Sequence, residues 1–178
     1  MVTKNFKMVL ASLLAEVSIN SVAFGRIPFK DVSGNTRYYR PLLSSSYGYP
    51  ASSTQSFSSS GTTSGVVVGS GTTPSTEDDY ALEAPISSGL NGVTNVSQNL
   101  DSNGNLYCEI TLSLANTTNA AIVVNEIGYI QSIPYATQSA TSGSVVSTLF
   151  DRTVLDTPVT IPAGGTKVIE YTLKTVVS

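Results

Sequence analysis

The sequence predicts an all-β fold: a β-sandwich or jelly-roll-like body over residues 65–178, preceded by an N-terminal amphipathic helix and an extended Ser/Tyr-rich arm within residues 1–64. Three observations lead there. Leu106, Cys108, Ile110, Leu112 and Leu114 alternate with Tyr107, Glu109, Thr111 and Ser113, the period of two of a half-buried strand. From Gly65 onward, short apolar runs recur between Gly-, Pro-, Asn- and Ser-rich turns, the spacing of a sandwich or jelly roll. Near the start, Phe6, Val9, Leu10, Leu13, Leu14 and Val17 recur at i, i+3, i+4 and i+7 with Lys7, Ser12 and Glu16 opposite, which predicts a helix over residues 5–18.

Thr3 or Asn5 caps the start of that helix. Its apolar stripe must be covered, either by the protein's own sheet or by another subunit. Lys4 and Lys7 ahead of the apolar run, with Ser21-Val22-Ala23 after it, also resemble a secretory leader. The run is short and is followed by Glu16, so the segment reads as a retained helix. Residues 29–39 predict a hairpin turning at Ser33-Gly34-Asn35, and the Ser-, Thr- and Gly-rich stretch up to Ser64 reads as an extended arm.

In the body, Val66-Val67-Val68 is a short strand closed by Gly69-Ser70-Gly71. Residues 93–100 and 105–115 form a hairpin about the turn Asp101-Ser102-Asn103-Gly104. Ile122–Ile130 is the next strand, with a bulge expected at Gly128. A loop over 134–144 leads to a strand over Val145–Leu155. Pro158 and Pro162 lack an amide donor, so Thr157–Gly165 reads as an edge segment and a turn. The last strand is expected over Thr166–Val177, with Ile169, Tyr171, Leu173 and Thr175 on one face.

Composition narrows the function. Only 12% of residues are charged, about half the usual share of roughly 25%. There is no histidine and no tryptophan, and Cys108 stands alone, so the commonest general base and an internal disulfide are both missing. The net charge of −3 argues against a nucleic-acid partner. No apolar run approaches the roughly 18 residues of a membrane span, so no membrane partner is expected either. The charge is uneven: Lys4, Lys7, Arg26, Lys30, Arg37 and Arg40 face only Glu16 and Asp31 up to residue 40, and the remainder is acidic. A basic arm beside an acidic body can pair within one subunit or between neighbours.

Candidate chemical motifs are weak. Val66–Pro74 has the look of a strand leading into a phosphate-binding glycine loop, but Pro74 occupies the third glycine's place and no βαβ unit follows. Glu77-Asp78-Asp79 lacks the alternating ligand spacing of a calcium loop and reads as a solvated turn or helix cap. Arg152, flanked by Asp151 and Asp156, is expected to form an ion pair, within or between subunits. Cys108 falls on the inward face of its strand and reads as an inert thiol. Asn95-Val96-Ser97 and Asn116-Thr117-Thr118 match the glycosylation pattern, as expected by chance in a chain this rich in Asn, Ser and Thr. No metal and no cofactor are implied, and the chain reads as a non-enzyme.

Three blocks carry a resemblance. Gly65–Pro85 (GVVVGSGTTPSTEDDYALEAP), Val124–Tyr129 (VNEIGY) and Leu149–Gly165 (LFDRTVLDTPVTIPAGG), in this order, resemble small β-sandwich structural proteins of tailed bacteriophages. The resemblance covers most of residues 65–178. It implies a virion component and no catalytic residues. The expected role is a neck or tail component working through repeated contacts with copies of itself, as a homo-oligomer, and with other virion proteins. A capsid decoration protein and a host- or glycan-binding fibre or adhesin domain are the alternatives. Phe6, Leu10, Leu13, Leu14 and Val17 on the helix, Tyr38 and Tyr39 on the arm, and Arg152 are the candidate assembly contacts.

Overall fold

A computed structural model describes residues 1–7, 27–39, 56–60, 63–100, 102, 106–135 and 144–174. Eight strands follow one another: β1 (Ile27–Lys30), β2 (Thr36–Tyr39), β3 (Gly65–Gly69), β4 (Leu90–Leu100), β5 (Leu106–Asn116), β6 (Ile122–Tyr135), β7 (Ser144–Ile161) and β8 (Thr166–Lys174). All strand pairings are antiparallel. One sheet has the order β1-β2-β6-β3 with β7 on the other side of β6, and the second has the order β4-β5-β8. The all-β expectation is borne out.

The sheets face each other across one core. Val66 and Val68 of β3, Val124 and Ile127 of β6 and Ile161 of β7 meet Leu90 of β4, Ile110, Leu112 and Leu114 of β5, and Ile169 and Tyr171 of β8. The alternation read along β5 is therefore the inner face of the second sheet. Its opposite face points to solvent, where Val93 is 73% and Val168 57% exposed.

The larger sheet is covered on its second face too. Val67, Ile130 and Leu149 pack there against Leu82 and Val32. Phe29 forms a separate cluster with Ile133, Val146 and Phe150, beyond the main core on the face that Ile133 shares with Ile127. Burial on both faces explains the unbroken Val66-Val67-Val68 run: every residue of β3 is buried, so alternation has no polar side to show.

The hairpin turns where expected. Asp31 accepts hydrogen bonds from the backbone N–H of Ser33 (3.0 Å) and Asn35 (2.9 Å), and pairs with Arg37 at 2.9 Å. Gly34 adopts a φ of 81°, which favours glycine. Through β2 the hairpin joins β6 at Tyr39 and Tyr135.

One expectation is corrected, and one strand runs further than expected. Gly128 sits in register between Val67 and Arg152 and is not a bulge. The register shifts lie between Val124 and Glu126, where residues 155–158 of β7, including Pro158, stand against Asn125 alone, and between Tyr129 and Ile130, where β7 carries Phe150 as the extra residue. A Cβ on Gly128 would lie 2.9 Å from Leu82 Cδ2, so glycine admits the covering loop. β7 also continues to Ile161, its Val159, Thr160 and Ile161 pairing with Val124, Val123 and Ile122. Both prolines fit: Pro158 lies in the shifted segment and Pro162 opens the turn to β8.

The predicted helix is described only as one turn over residues 4–7, whose residues lie on the body of the same chain. Thr3 N–H donates to Phe150 O at 2.9 Å, and Phe6 meets the Phe150 ring edge-on with centroids 5.3 Å apart. Lys4 and Lys7 pair with Asp78 and Glu77, so this part of the basic arm meets the acidic body within one subunit. Leu10, Leu13, Leu14 and Val17 lie outside the described residues.

Candidate functional site

The densest polar assembly lies on the covered face of the larger sheet, centred on Arg152. Its side chain is 3% exposed, and that of its partner Glu126 is fully buried. Arg152 stands opposite Gly128 on the neighbouring strand, so no side chain blocks its path to Glu126, two residues along the same face. Arg152 Nε donates to Glu126 Oε2 at 2.7 Å. Its two terminal nitrogens reach Asp79 Oδ2 at 2.8 Å, Thr73 O at 3.1 Å and Glu83 Oε2 at 3.4 Å. A planar guanidinium with five fixed donors is suited to such a many-sided site, whereas a lysine ammonium is not.

Glu126 is itself a cradled anion. Its Oε1 accepts from Gly71 N–H (3.2 Å) and Ala84 N–H (2.8 Å), and its Oε2 accepts from Glu83 N–H (3.2 Å). The Gly69-Ser70-Gly71 stretch makes this approach possible. Gly69 pairs directly with Glu126, and a Cβ on Gly69 would collide with Glu126 Oε1 and stand 2.6 Å from Ala84 O. The glycine loop that resembled a phosphate site thus presents backbone N–H to an anion, and the anion is the protein's own carboxylate.

The loop over residues 70–86 is fastened at further points. Thr73 donates from its N–H and its hydroxyl to Glu83, and Thr76 does the same to Asp79. Asp79 is therefore no solvated turn residue: it closes the turn and joins the hub. Burial pushes the Asp79 carboxyl upward, but the Arg152 and Thr76 hydrogen bonds outweigh it and hold the group below its ordinary value of 3.8. Glu83 is held below its ordinary value by the Thr73 hydroxyl and N–H. Burial lowers the affinity of Arg152 for its proton, and the Asp79 and Glu126 hydrogen bonds more than reverse this.

Carboxylates with depressed folded-state values stabilise the fold above their unfolded values, and that contribution disappears as pH falls through the folded ones. Stability is expected to be level above about pH 5 and to decline below about pH 4. Urea unfolding midpoints across this range provide the measurement, and Asp79→Asn is expected to flatten the acid decline.

Asp151, on the opposite face of β7, points into the sandwich. The buried Tyr171 hydroxyl of β8 donates to it, tying the two sheets together. Burial, followed by the nearby Asp151 charge, drives the Tyr171 phenol well above its ordinary range, so it remains a donor. Cys108 is half-buried at the margin of the core, and burial raises its thiol. A thiol reagent is expected to label Cys108 about ten-fold or more slowly in the native protein than in urea; equal rates would show an open strand.

Of the residues singled out in the sequence, Arg152 forms the hub, and its ion pairs lie within the chain. Phe6 packs on Phe150. Tyr38 and Tyr39 lie on β2, opposite Pro28 and Ile27. Asn116 is buried, donating to Ala120 O and Ile161 O, and so serves as a turn residue. Sequence reasoning missed Glu126; the signal was the one charged residue in a strand, β6, whose other residues are apolar or neutral. Among the described residues, no group of three or more His, Cys, Asp or Glu is placed to hold a metal ion. Compared with protein-family models, curated proteins and solved structures, the chain matches none.

Proposed function

We propose that this chain is a structural component of a tailed-phage virion, seated in the neck or tail, that acts through repeated contacts with copies of itself and with other virion proteins rather than by catalysis. One observation carries the reading. The three sequence blocks that bear the resemblance meet at a single place: Gly69, Gly71, Thr73, Asp79 and Glu83 come from the first, Glu126 from the second and Arg152 from the third. What those blocks share is a lock that fastens a loop to a sheet. A sandwich closed in this way is suited to a mechanical role, in which weak contacts repeated by symmetry add up.

Gold-labelled antibody against the chain, imaged by electron microscopy on phage particles, tests the proposal. Label at one vertex or along the tail is the expected result. Label over the whole shell would make the chain a decoration protein, and unlabelled particles would overturn the virion reading in favour of an adhesive domain.

A further inference from the structure

Sheet edges invite pairing with other chains, and folded proteins cover or blunt them. Among the described residues, nearly every edge is dealt with. The outer edge of β3 is bonded by residues 56–58 and 84–86: Val66 N–H donates to Ser56 O, Ser58 N–H to Val66 O and Ile86 N–H to Val68 O. The outer edge of β7 is covered by the amino terminus and the hairpin, through Thr3 N–H to Phe150 O, Arg152 N–H to Met1 O and Val32 N–H to Ser147 O. β1 carries Pro28, and the Asn5 carboxamide bonds both the N–H and the C=O of Lys30. β8 carries Lys167, Glu170 and Lys174 within nine residues.

Among the described residues, β4 has none of these devices. Its 11 residues, Leu-Asn-Gly-Val-Thr-Asn-Val-Ser-Gln-Asn-Leu, contain no charge and no proline. They pair with β5 in one unbroken register from Leu90 opposite Asn116 to Leu100 opposite Leu106, without a bulge to twist the edge away. Among the described residues, no backbone hydrogen bond reaches β4 from the side away from β5. Asn91, Val93, Asn95, Ser97 and Asn99 are exposed along it.

We infer that the outer edge of β4 is a self-association surface, at which β4 of a second copy adds antiparallel across a twofold axis. The occupant follows from the chemistry of the edge. A strand without charge meets no repulsion from its own copy, and two antiparallel copies satisfy the same row of N–H and C=O groups reciprocally. An 11-residue pair extends over roughly 35 Å and forms about ten backbone hydrogen bonds. It merges two three-stranded sheets into one of six strands, with the exposed Val93 side chains beside the seam. A contact confined to a strand edge is small, so the dimer is reversible in solution and is reinforced where many copies are held together. The inference rests on the assembly reading above for the need of a second copy, while the edge itself is a property of the fold.

Sedimentation velocity on the full chain over a range from submicromolar to high micromolar concentration tests it. A concentration-dependent monomer–dimer equilibrium is expected, and Val93→Lys with Asn95→Lys is expected to abolish the dimer by setting like charges face to face. Val168→Lys, on the same exposed face but on β8, is expected to leave it intact. In a Cys108→Ser background, cysteines placed singly at 93, 95 and 97 are expected to form disulfide-linked dimers at the position nearest the axis. A monomer at every concentration overturns the inference, as does a dimer that survives the β4 lysines. Particles that carry the chain although the protein remains a monomer would refute the edge and leave the virion reading standing. A β4-dependent dimer absent from every particle would do the reverse.

Discussion

Arg152→Ala is expected to destabilise the protein by about 3–5 kcal/mol, because it strands a buried carboxylate. Glu126 is fully buried, and the guanidinium is the cation that compensates it. The three backbone N–H groups on Glu126 remain in the variant, but they belong to the loop that Arg152 helps to hold. Damage is therefore expected to begin in residues 70–86, with β4, β5 and β8 retained longer. Urea denaturation gives the magnitude, and amide exchange at residues 71–84 gives the location. Arg152→Lys is expected to recover only part of the loss, since one ammonium cannot reach Asp79, Glu83, Glu126 and Thr73 O together. Arg152→Met combined with Glu126→Gln removes both charges and is expected to be more stable than Arg152→Met alone, a coupling that a double-mutant cycle measures. An Arg152→Ala protein within about 1 kcal/mol of the parent would show that the hub contributes little.

Gly69→Ala is expected to cost about 1–3 kcal/mol, a large effect for one methyl group. The added carbon would lie 2.6 Å from the carbonyl oxygen of Ala84 and would overlap the Glu126 carboxylate. Neither neighbour is free to retreat: Ala84 O accepts from Ser70 N–H at 2.8 Å, and Glu126 is held by Arg152 and three backbone donors. Ser70→Ala, at the exposed position between the two glycines, is expected to lie within about 0.5 kcal/mol of the parent. Thermal unfolding of the two variants side by side separates crowding at the lock from a general sensitivity of the loop.

These sites differ in how far the sequence disclosed them. The hairpin at Ser33-Gly34-Asn35 and the strands β4, β5 and β8 were legible because turn chemistry and period-two alternation are local signals. The hub was not, because Arg152 lies 26, 69 and 73 positions from Glu126, Glu83 and Asp79. Gly69-Ser70-Gly71 was legible as a loop built for close approach, but not for what approaches it. A bound phosphate and a buried glutamate make the same demand on a backbone, which is glycine beside converging N–H groups. Gly128 was misread for a related reason: a glycine inside a strand signals either a bulge or a tight neighbour, and here the neighbour is Leu82, distant in the chain.

Local patterning in the chain is enough to establish an all-β sandwich, the inward face of β5 and the hairpin turn. Side-chain alternation and turn preferences act over a few residues and need no knowledge of the partner. Tertiary packing alone selects the rest: that the larger sheet is buried on both faces, that Glu126 fills the glycine cradle, and that the outer edge of β4 has no backbone partner among the described residues. Each of these depends on which distant segment lies against a strand, and chain topology sets that choice.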